Sequence, residues 1–159
     1  MSRKTTPTYV LLNQITLAAT SSSVTFSSIP QNYGDLVLSL ESTANTSDAT
    51  FLSMNGSSSG ASVFMLGKAS GPLSGTNLSR MDIGYHQTGE RMSVVTQIMD
   101  YPASDKFKTF LTRDNAQVTQ VVAWAGRSSS TNAITSLSVS RASGVFSVGS
   151  TFSLYGLVA

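Results

Sequence analysis

The sequence predicts an all-β protein, and the prediction depends on two features of its 159 residues. Apolar and polar residues alternate along most of the chain, which is the pattern of strands with one buried face. Clusters of turn-forming residues interrupt this alternation every ~8–15 residues, a spacing typical of a β-sandwich or β-barrel. No window keeps apolar residues on one helical face for three turns, so we expect at most a turn or two of helix.

The alternation is clearest at Leu36, Leu38 and Leu40, which are separated by Val37 and Ser39 and therefore share one face of a strand. Val24-Thr-Phe26 repeats the pattern over a shorter length. Further strands are predicted at Tyr9–Leu17, Thr50–Met54, Ser62–Leu66, Arg80–His86, Met92–Met99, Lys106–Arg113, Gln117–Ala125, Ala133–Ser140 and Ser150–Leu157. The segments between them are rich in turn formers and are predicted as loops: Ser27–Gly34, Asn55–Gly60, Ala69–Asn77, Gln87–Gly89, Pro102–Asp105, Asp114–Ala116, Gly126–Asn132 and Arg141–Gly149.

The first eight residues lack a periodic pattern, and we expect a short extended N-terminal arm over 1–8 before a single β-sandwich domain over 9–159. Arg3 and Lys4 make this arm basic, Pro7 restricts its backbone, and Tyr9 opens the first strand. Those residues are candidates for contact with a neighbouring molecule, and a disordered terminus is the alternative interpretation.

Composition argues against several classes of function. Charged residues are only 11% of the chain, less than half the usual ~25%, and the ten basic residues are scattered and nearly balanced by eight acidic ones. We therefore expect no nucleic-acid partner. The chain has no cysteine, which removes disulfides and thiolate metal sites. No apolar run approaches the ~20 residues of a membrane span, and the run behind Lys4 stops at Asn13, too early for a signal peptide.

The residues of common catalytic sites are sparse. His86 is the only histidine, so a hydrolase that uses histidine as its base would have to use it, and we expect it instead to be a strand-end residue that is hydrogen-bonded or solvated. Gly56–Gly60 matches the Gly-x-Ser-x-Gly pattern of hydrolases, but that motif requires a following helix, which the sequence does not predict. The carboxylates are too spread for a calcium loop, although two could meet in the fold as in glycosidases. We predict no catalytic residue, no metal site and no cofactor.

The segment from Val24 to Leu38 resembles a motif that joins two early strands in a diffuse family of small tailed-phage virion proteins. In this interpretation Phe26 and Ile29 are core anchors, Pro30 fixes the turn, and Tyr33 folds back before Leu36 begins the next strand. The resemblance continues over Tyr101–Thr109, Trp124–Leu137 and Gly149–Leu157, with Trp124, Phe152 and Tyr155 as further core residues.

The resemblance implies a jelly-roll-like antiparallel sandwich and a non-enzymatic structural role. Members of this kind are capsid decoration (cement) proteins, or modules of head and tail fibres. It implies a homo-oligomer, with a trimer favoured, that is made in the host bacterial cytoplasm and binds the major capsid protein or other virion proteins at the virion surface. The alternative is a receptor-binding fibre module that recognises host surface glycans through the loops Asn45–Ala49, Gly56–Gly60 and Ala69–Asn77.

Overall fold

A computed structural model describes residues 8–68, 70–117 and 120–158. These residues form strands and turns, with no helix, and hence none that could cross a membrane. The strands of the described residues are β1 (Tyr9–Thr16), β2 (Ser23–Phe26), β3 (Asp35–Thr43), β4 (Asp48–Met54), β5 (Gly60–Lys68), β6 (Leu73–Asn77), β7 (Met81–His86), β8 (Arg91–Ile98), β9 (Thr109–Gln117), β10 (Gln120–Ser128), β11 (Leu137–Arg141) and β12 (Thr151–Leu157).

The architecture follows from pairing the first part of the chain with the last. Strand β1 pairs with β12, β2 with β11, β3 with β8 and β4 with β7, and each pair is antiparallel. These four antiparallel pairs follow one another along the chain, and successive pairs alternate between the two sheets. One sheet contains β1-β12-β3-β8 and the other β2-β11-β4-β7, which is the connectivity of a jelly roll. The predicted all-β antiparallel sandwich is confirmed.

Two inserted hairpins enlarge one of these sheets. The hairpin β5–β6 follows β4, and the hairpin β9–β10 follows β8. Both join the same sheet, giving an eight-stranded sheet in the order β1-β12-β3-β8-β9-β10-β5-β6 opposite a four-stranded one. We call these the large and the small sheet. The large sheet therefore extends beyond the small one, and strand β7 of the small sheet contacts β9, β10 and β5 of the extension.

The main core lies between the sheets and contains the residues with the clearest alternation. Leu36, Leu38 and Leu40 on β3 are completely buried, whereas Val37 and Ser39 point to the other side of the large sheet. Burying each leucine contributes about 1.5–3 kcal/mol. The small sheet supplies facing apolar side chains such as Leu52 and Val139. The rings of Phe146, in the connection before β12, and Phe152, on β12, meet edge to face at 5.0 Å. The core includes Val24, Phe26, Ile29, Leu52, Met54, Met81, Ile83, Val94, Phe110, Ile134, Leu137, Val139 and Leu154.

A smaller cluster lies beneath the extension of the large sheet. Trp124 and Val122 on β10 are buried there, and Phe64 and Leu66 on β5 pack against them. The ring centroids of Phe64 and Trp124 are 5.0 Å apart. Trp124 Nε1 donates a 2.6 Å hydrogen bond to Asp114 Oδ2, so the buried indole N–H is satisfied.

The segment between β2 and β3 is fixed by contacts from distant parts of the chain. Ile29 is buried, and its backbone N–H donates to the carbonyl of Thr135 at 3.0 Å. Pro30 is exposed, and its carbonyl accepts a hydrogen bond from the hydroxyl of buried Tyr101. Tyr33 packs on the core and its ring lies against Gly156. Contacts with Thr135, Tyr101 and Gly156 therefore hold this segment in place from Ile29 to Tyr33.

Tyr155 differs from its predicted place in the core. It is opposite Leu11 and Val37 in the register of the large sheet, and it is half-buried on the side that faces away from the small sheet. The reason is the alternation of β12: Phe152 and Leu154 point into the core, so Tyr155 points outward.

Several predicted boundaries were wrong. Lys106–Lys108, predicted as strand, precedes β9, and Gly126–Ser128, predicted as loop, lies within β10. Leu73–Asn77, predicted as part of a loop, is strand β6, and Asp114–Ala116, predicted as a turn, lies within β9. Both segments are poor in β-branched and aromatic residues, and pairing with neighbouring strands overrides that preference. The region 133–136, predicted as strand, lies outside any strand because its backbone N–H groups bond to Asn55 Oδ1 and to the carbonyl of Tyr101.

A glycine comparison tests the packing of the large sheet. A Cβ on Gly126 would lie 2.2 Å from the Phe110 ring and 2.7 Å from the carbonyl oxygen of Ala61, whereas a Cβ on Gly67 would meet nothing within 4 Å. We expect Gly126→Ala to lower the free energy of unfolding by about 1–3 kcal/mol because the core is overpacked. Gly67→Ala, the matched control, should change it by less than ~1 kcal/mol. Urea unfolding of both variants measures the difference, and equal effects would contradict the packing described here.

Candidate functional site: the outer face of the large sheet

His86, the sole histidine, lies in the interior and not in a cleft. It is 0% exposed at the end of β7, and its ring packs edge to face on Phe146 at 5.6 Å. Nδ1 lies 2.9 Å from Thr50 Oγ1 and 3.0 Å from Arg141 Nη1, and Nε2 lies 2.8 Å from Ser42 Oγ. Because Arg141 can only donate, Nδ1 accepts and the proton resides on Nε2. His86 is therefore a neutral member of a buried hydrogen-bond network.

Arg141 is the buried cation of that network. Its Nη1 donates to the carbonyl of Asp48 at 2.7 Å, and its Nη2 donates to the carbonyl of Thr46 at 2.8 Å. Burial lowers the pKa of Arg141, an effect opposed by the nearby Asp48 carboxylate. The Asp48 pKa is in turn lowered, first by a hydrogen bond from Ser143 and then by the Ala49 N–H. The network thus ties β11 to the connection between β3 and β4.

The Gly56–Gly60 match to the hydrolase motif spans the connection from β4 of the small sheet to β5 of the large sheet. Asn55 and Gly56 have positive φ angles of 52° and 80°, and Met54 pairs with Ser57, so these two residues form the tight turn. Asn55 uses its side chain to hold the distant residues 133–136, donating to the carbonyl of Ala133 and accepting from Thr135 and Ser136. The turn leads into β5 and not into a helix, so it lacks the context of a nucleophile elbow.

The largest assembly of exposed apolar side chains that the described residues form is the outer face of the large sheet, the face that points away from the small sheet. Strand register places one residue from each of the seven strands from β1 to β5 in a continuous line across it. Leu11 is opposite Tyr155, Tyr155 opposite Val37, and Val37 opposite Gln97. The line continues through Leu111, Ala125 and Val63. We call this line of seven residues, interrupted only by Gln97, the apolar row.

More apolar side chains border the apolar row. Tyr9, Val95, Met65 and Val121 lie on the same face, and Met65 and Val121 are 65% and 72% exposed. A shallow groove of about 390 Å³ crosses the centre of the face and is lined by Tyr9, Val37, Val95, Leu111 and Ala123, with Gln97 and Arg113 as its polar side chains. A contiguous apolar surface of this kind is typical of a binding site for another macromolecule.

Charges on the outer face are separated between its two halves. Strand β3 contributes Asp35 and Glu41, and Glu41 pairs with Arg91 at 3.1 Å. Strands β9 and β10 contribute Arg113 and Arg127, and the Arg127 guanidinium stacks on the Phe107 ring at 4.5 Å. Arg91 lies on β8 in the same half and offsets the charge of Glu41, so Asp35 is the acidic contribution of the β3 half, whereas the β9–β10 half is basic.

Comparisons with known proteins add little to this geometry. No family model and no curated protein matches the chain. Among solved structures, a protein of unknown function from Shewanella oneidensis MR-1 aligns over 94% of this chain and 75% of its own, at 8% identity and a TM-score of 0.25. A likeness this weak carries no argument about fold or function.

The predicted contact arm lies largely outside the described residues, because Arg3, Lys4 and Pro7 precede the first of them. Tyr9, the last member, begins β1 and lines the groove. Sequence reasoning missed the outer face as a site. The sequence does contain apolar residues at strand positions that face away from the core. Only the order of the strands in the sheet shows that these residues form one surface.

The three loops predicted to bind glycans do not come together. Asn45–Ala49 and Gly56–Gly60 lie at opposite ends of β4, and Leu73–Asn77 is an edge strand. Asn45, Thr46 and Ser47 instead meet the connections after β7 and β11: Asn45 Oδ1 accepts from the Val145 N–H at 2.8 Å, and Ser47 Oγ lies 3.0 Å from Thr88 Oγ1. Exposed Tyr85 stands beside this polar cluster.

The buried neutral His86 makes stability depend on pH. Burial, assisted by Arg141, lowers the pKa of His86 from 6.5 to about 3. Between these values the unfolded chain binds a proton that the folded chain does not, so the free energy of unfolding falls as the pH decreases from 6.5 towards 3. The slope is about 1.4 kcal/mol per pH unit at most.

We expect His86→Gln, which keeps one donor and one acceptor, to lose this component. Chemical unfolding at pH 7 and pH 5 should show a drop about 2 kcal/mol larger for the natural chain than for the variant. Carboxylates such as Asp48 contribute to both proteins and cancel in the comparison. Equal drops would show that His86 is not held neutral in the folded state.

Proposed function

We propose that this chain is a non-enzymatic structural protein of a tailed-phage virion that decorates the outer surface of the capsid. The observation that supports the proposal most is the exposed apolar row on a preformed sandwich. A structural protein acts through protein–protein contacts, and an enzyme needs a cleft in which reactive groups converge. The outer face, as the described residues form it, is a broad surface suited to protein–protein contact.

The sequence resemblance supplies the biological context. The segments that resemble phage virion proteins hold positions of structural consequence: Phe26 and Ile29 lie in the core, and the segment from Tyr101 fastens the turn at Pro30. Jelly rolls also occur in viral capsid proteins. This likeness of fold class supports the proposed virion role but assigns no role by itself.

The mechanism of decoration is thermodynamic. A protein that binds the assembled capsid and not its dissociated subunits shifts the equilibrium towards the assembled state by mass action. Burying apolar surface between capsid subunits adds about 25 cal/mol per Å² of apolar area removed from water. A rigid sandwich loses little conformational entropy in binding, so more of that free energy reaches the complex.

Capsid stability provides the test. We expect isolated capsids that lack this protein to lose their genome at a lower temperature than complete capsids, and added purified protein should restore the difference. Release of DNA, followed with an intercalating dye during heating, measures the transition. Capsids equally resistant with and without the protein would contradict a decorating role.

A second candidate function, recognition of host surface glycans, is favoured by the polar cluster beside Tyr85. The exposed ring offers a stacking surface, and Ser47, Gln87 and Thr88 present hydroxyl and amide groups next to it. Aromatic stacking with polar groups at its edge is the usual chemistry of sugar recognition.

Tyr85→Ala discriminates between the two functions. If the cluster binds glycans, the variant should bind host surface polysaccharide about two- to tenfold more weakly, since aromatic contacts contribute about 0.5–1.5 kcal/mol. Tyr9→Ala is the matched control, because Tyr9 is an exposed tyrosine on the outer face. Saturable binding that only Tyr85→Ala weakens would favour the fibre role, and no saturable binding by the natural chain would eliminate it.

A further inference from the structure

We propose that the outer face of the large sheet pairs with the same face of a second copy of this chain, about a twofold axis that runs along the strands between β8 and β9. The proposal goes beyond the role in a virion and does not depend on it. Its evidence is the distribution of apolar residues, charges and area on that face.

The apolar row is self-complementary about such an axis. The axis would place β8 of one copy over β9 of the other, and β3 over β10. Because Val37, Gln97, Leu111 and Ala125 occupy one level in the strand register, Val37 would face Ala125 of the second copy and Gln97 would face Leu111. Farther out, Tyr155 would face Val63. The row would thus cover itself, as an isologous interface requires.

The charges are complementary about the same axis. Asp35 on β3 and Arg127 on β10 each lie two residues from the apolar row, towards the same end of the sheet. The axis would therefore set the Asp35 carboxylate of each copy opposite the Arg127 guanidinium of the other, twice in the pair. Carboxylate oxygens of Asp35 accept from Gln97 Nε2 at 2.8 Å and from the Asp100 N–H at 2.9 Å, which fixes the carboxylate on the outer face.

The available area matches what a stable pair requires. The six strands from β12 to β5, at ~4.8 Å spacing and ~26 Å length, present roughly 750 Å² per copy. A standard interface buries about 800 Å² on each partner. The face is also poor in charge at its centre, where Arg113 is the only ionised side chain among the described groove residues, and interface cores are depleted of charge.

Sedimentation equilibrium of the purified full chain tests the pairing. We expect a dimer at ~100 µM, and we expect Leu111→Glu to raise the dissociation constant at least tenfold by placing a charge in the apolar row. Val148→Glu is the matched control, since Val148 is similarly exposed (60% against 54%) but lies in the connection before β12, beside Glu41 and Arg91 at the end of the sheet and outside the apolar row. Thermal unfolding of each variant verifies that it is folded.

Charge exchange tests the register without disturbing apolar packing. Arg127→Glu would oppose Asp35 of the second copy with a like charge, and should weaken the dimer about tenfold or more. Adding Asp35→Lys to that variant should recover most of the lost affinity, because the pair is then restored with reversed sign.

Several results would overturn the proposal: a natural chain that remains a monomer, a trimer, or a dimer whose affinity Leu111→Glu leaves unchanged. A trimer would favour the assembly that the family resemblance implies. The measurement uses the isolated protein, so a monomer would overturn the pairing and leave the outer face free to bind the capsid. A dimer would cover the outer face, and the pair would then bind the capsid through another surface. Absence of the chain from virions would overturn the capsid role and leave the pairing untouched.

Discussion

The structure depends on the antiparallel pairing of the first strands of the chain with the last ones. Strand β3 lies between β12 and β8, so its position is defined by residues about fifty to more than a hundred positions away in the sequence. Only when both neighbours are in place do Leu36, Leu38 and Leu40 face a closed core. With no cysteine to add covalent constraint, this burial and the strand hydrogen bonds carry the stability of the fold.

The network around Arg141 serves a different purpose from the apolar core. Burying a guanidinium is expensive, and its hydrogen bonds to Asp48, Thr46 and Thr50 offset most of the cost. Arg141 Nε is buried without a hydrogen-bond partner among the described residues, so some of the penalty remains. Such a network is weak evidence for stability, but its members come from β4, β7 and β11, so a shift of register in any of these strands would separate the partners. Its place at the end of the small sheet makes it a determinant of register.

The sequence predicted the sandwich because alternation is a local property and survives in most strands. Leu36 to Leu40 is the best case, since every second side chain is completely buried. Leu73–Asn77 escaped prediction because its residues have little strand preference, and pairing with β5 determines its structure. Ile134 is buried without belonging to a strand, a placement that depends on Tyr101 and Asn55 from elsewhere in the chain. His86 was predicted as a structural residue, but its partners Ser42 and Arg141 could not be inferred from spacing.

The candidate site on the outer face could not be predicted from the sequence for the same reason, because it is formed by residues that are distant in the sequence. Each strand displays one or two apolar residues outward, a pattern that looks like imperfect alternation when it is read strand by strand. Only the order of strands turns these residues into one row from Leu11 to Val63. A surface of this kind is expensive to leave exposed to water, and covering it is the simplest physical reason for the chain to assemble. We therefore propose that the molecule is a building block of a larger assembly.

The most direct test of that account is the number of copies of this protein in purified virions, measured by quantitative mass spectrometry against the major capsid protein. A ratio near one copy per capsid subunit is predicted for a protein that coats the capsid. A ratio of a few copies per hundred subunits would place the protein on a tail or fibre, and its absence from virions would contradict a structural role altogether.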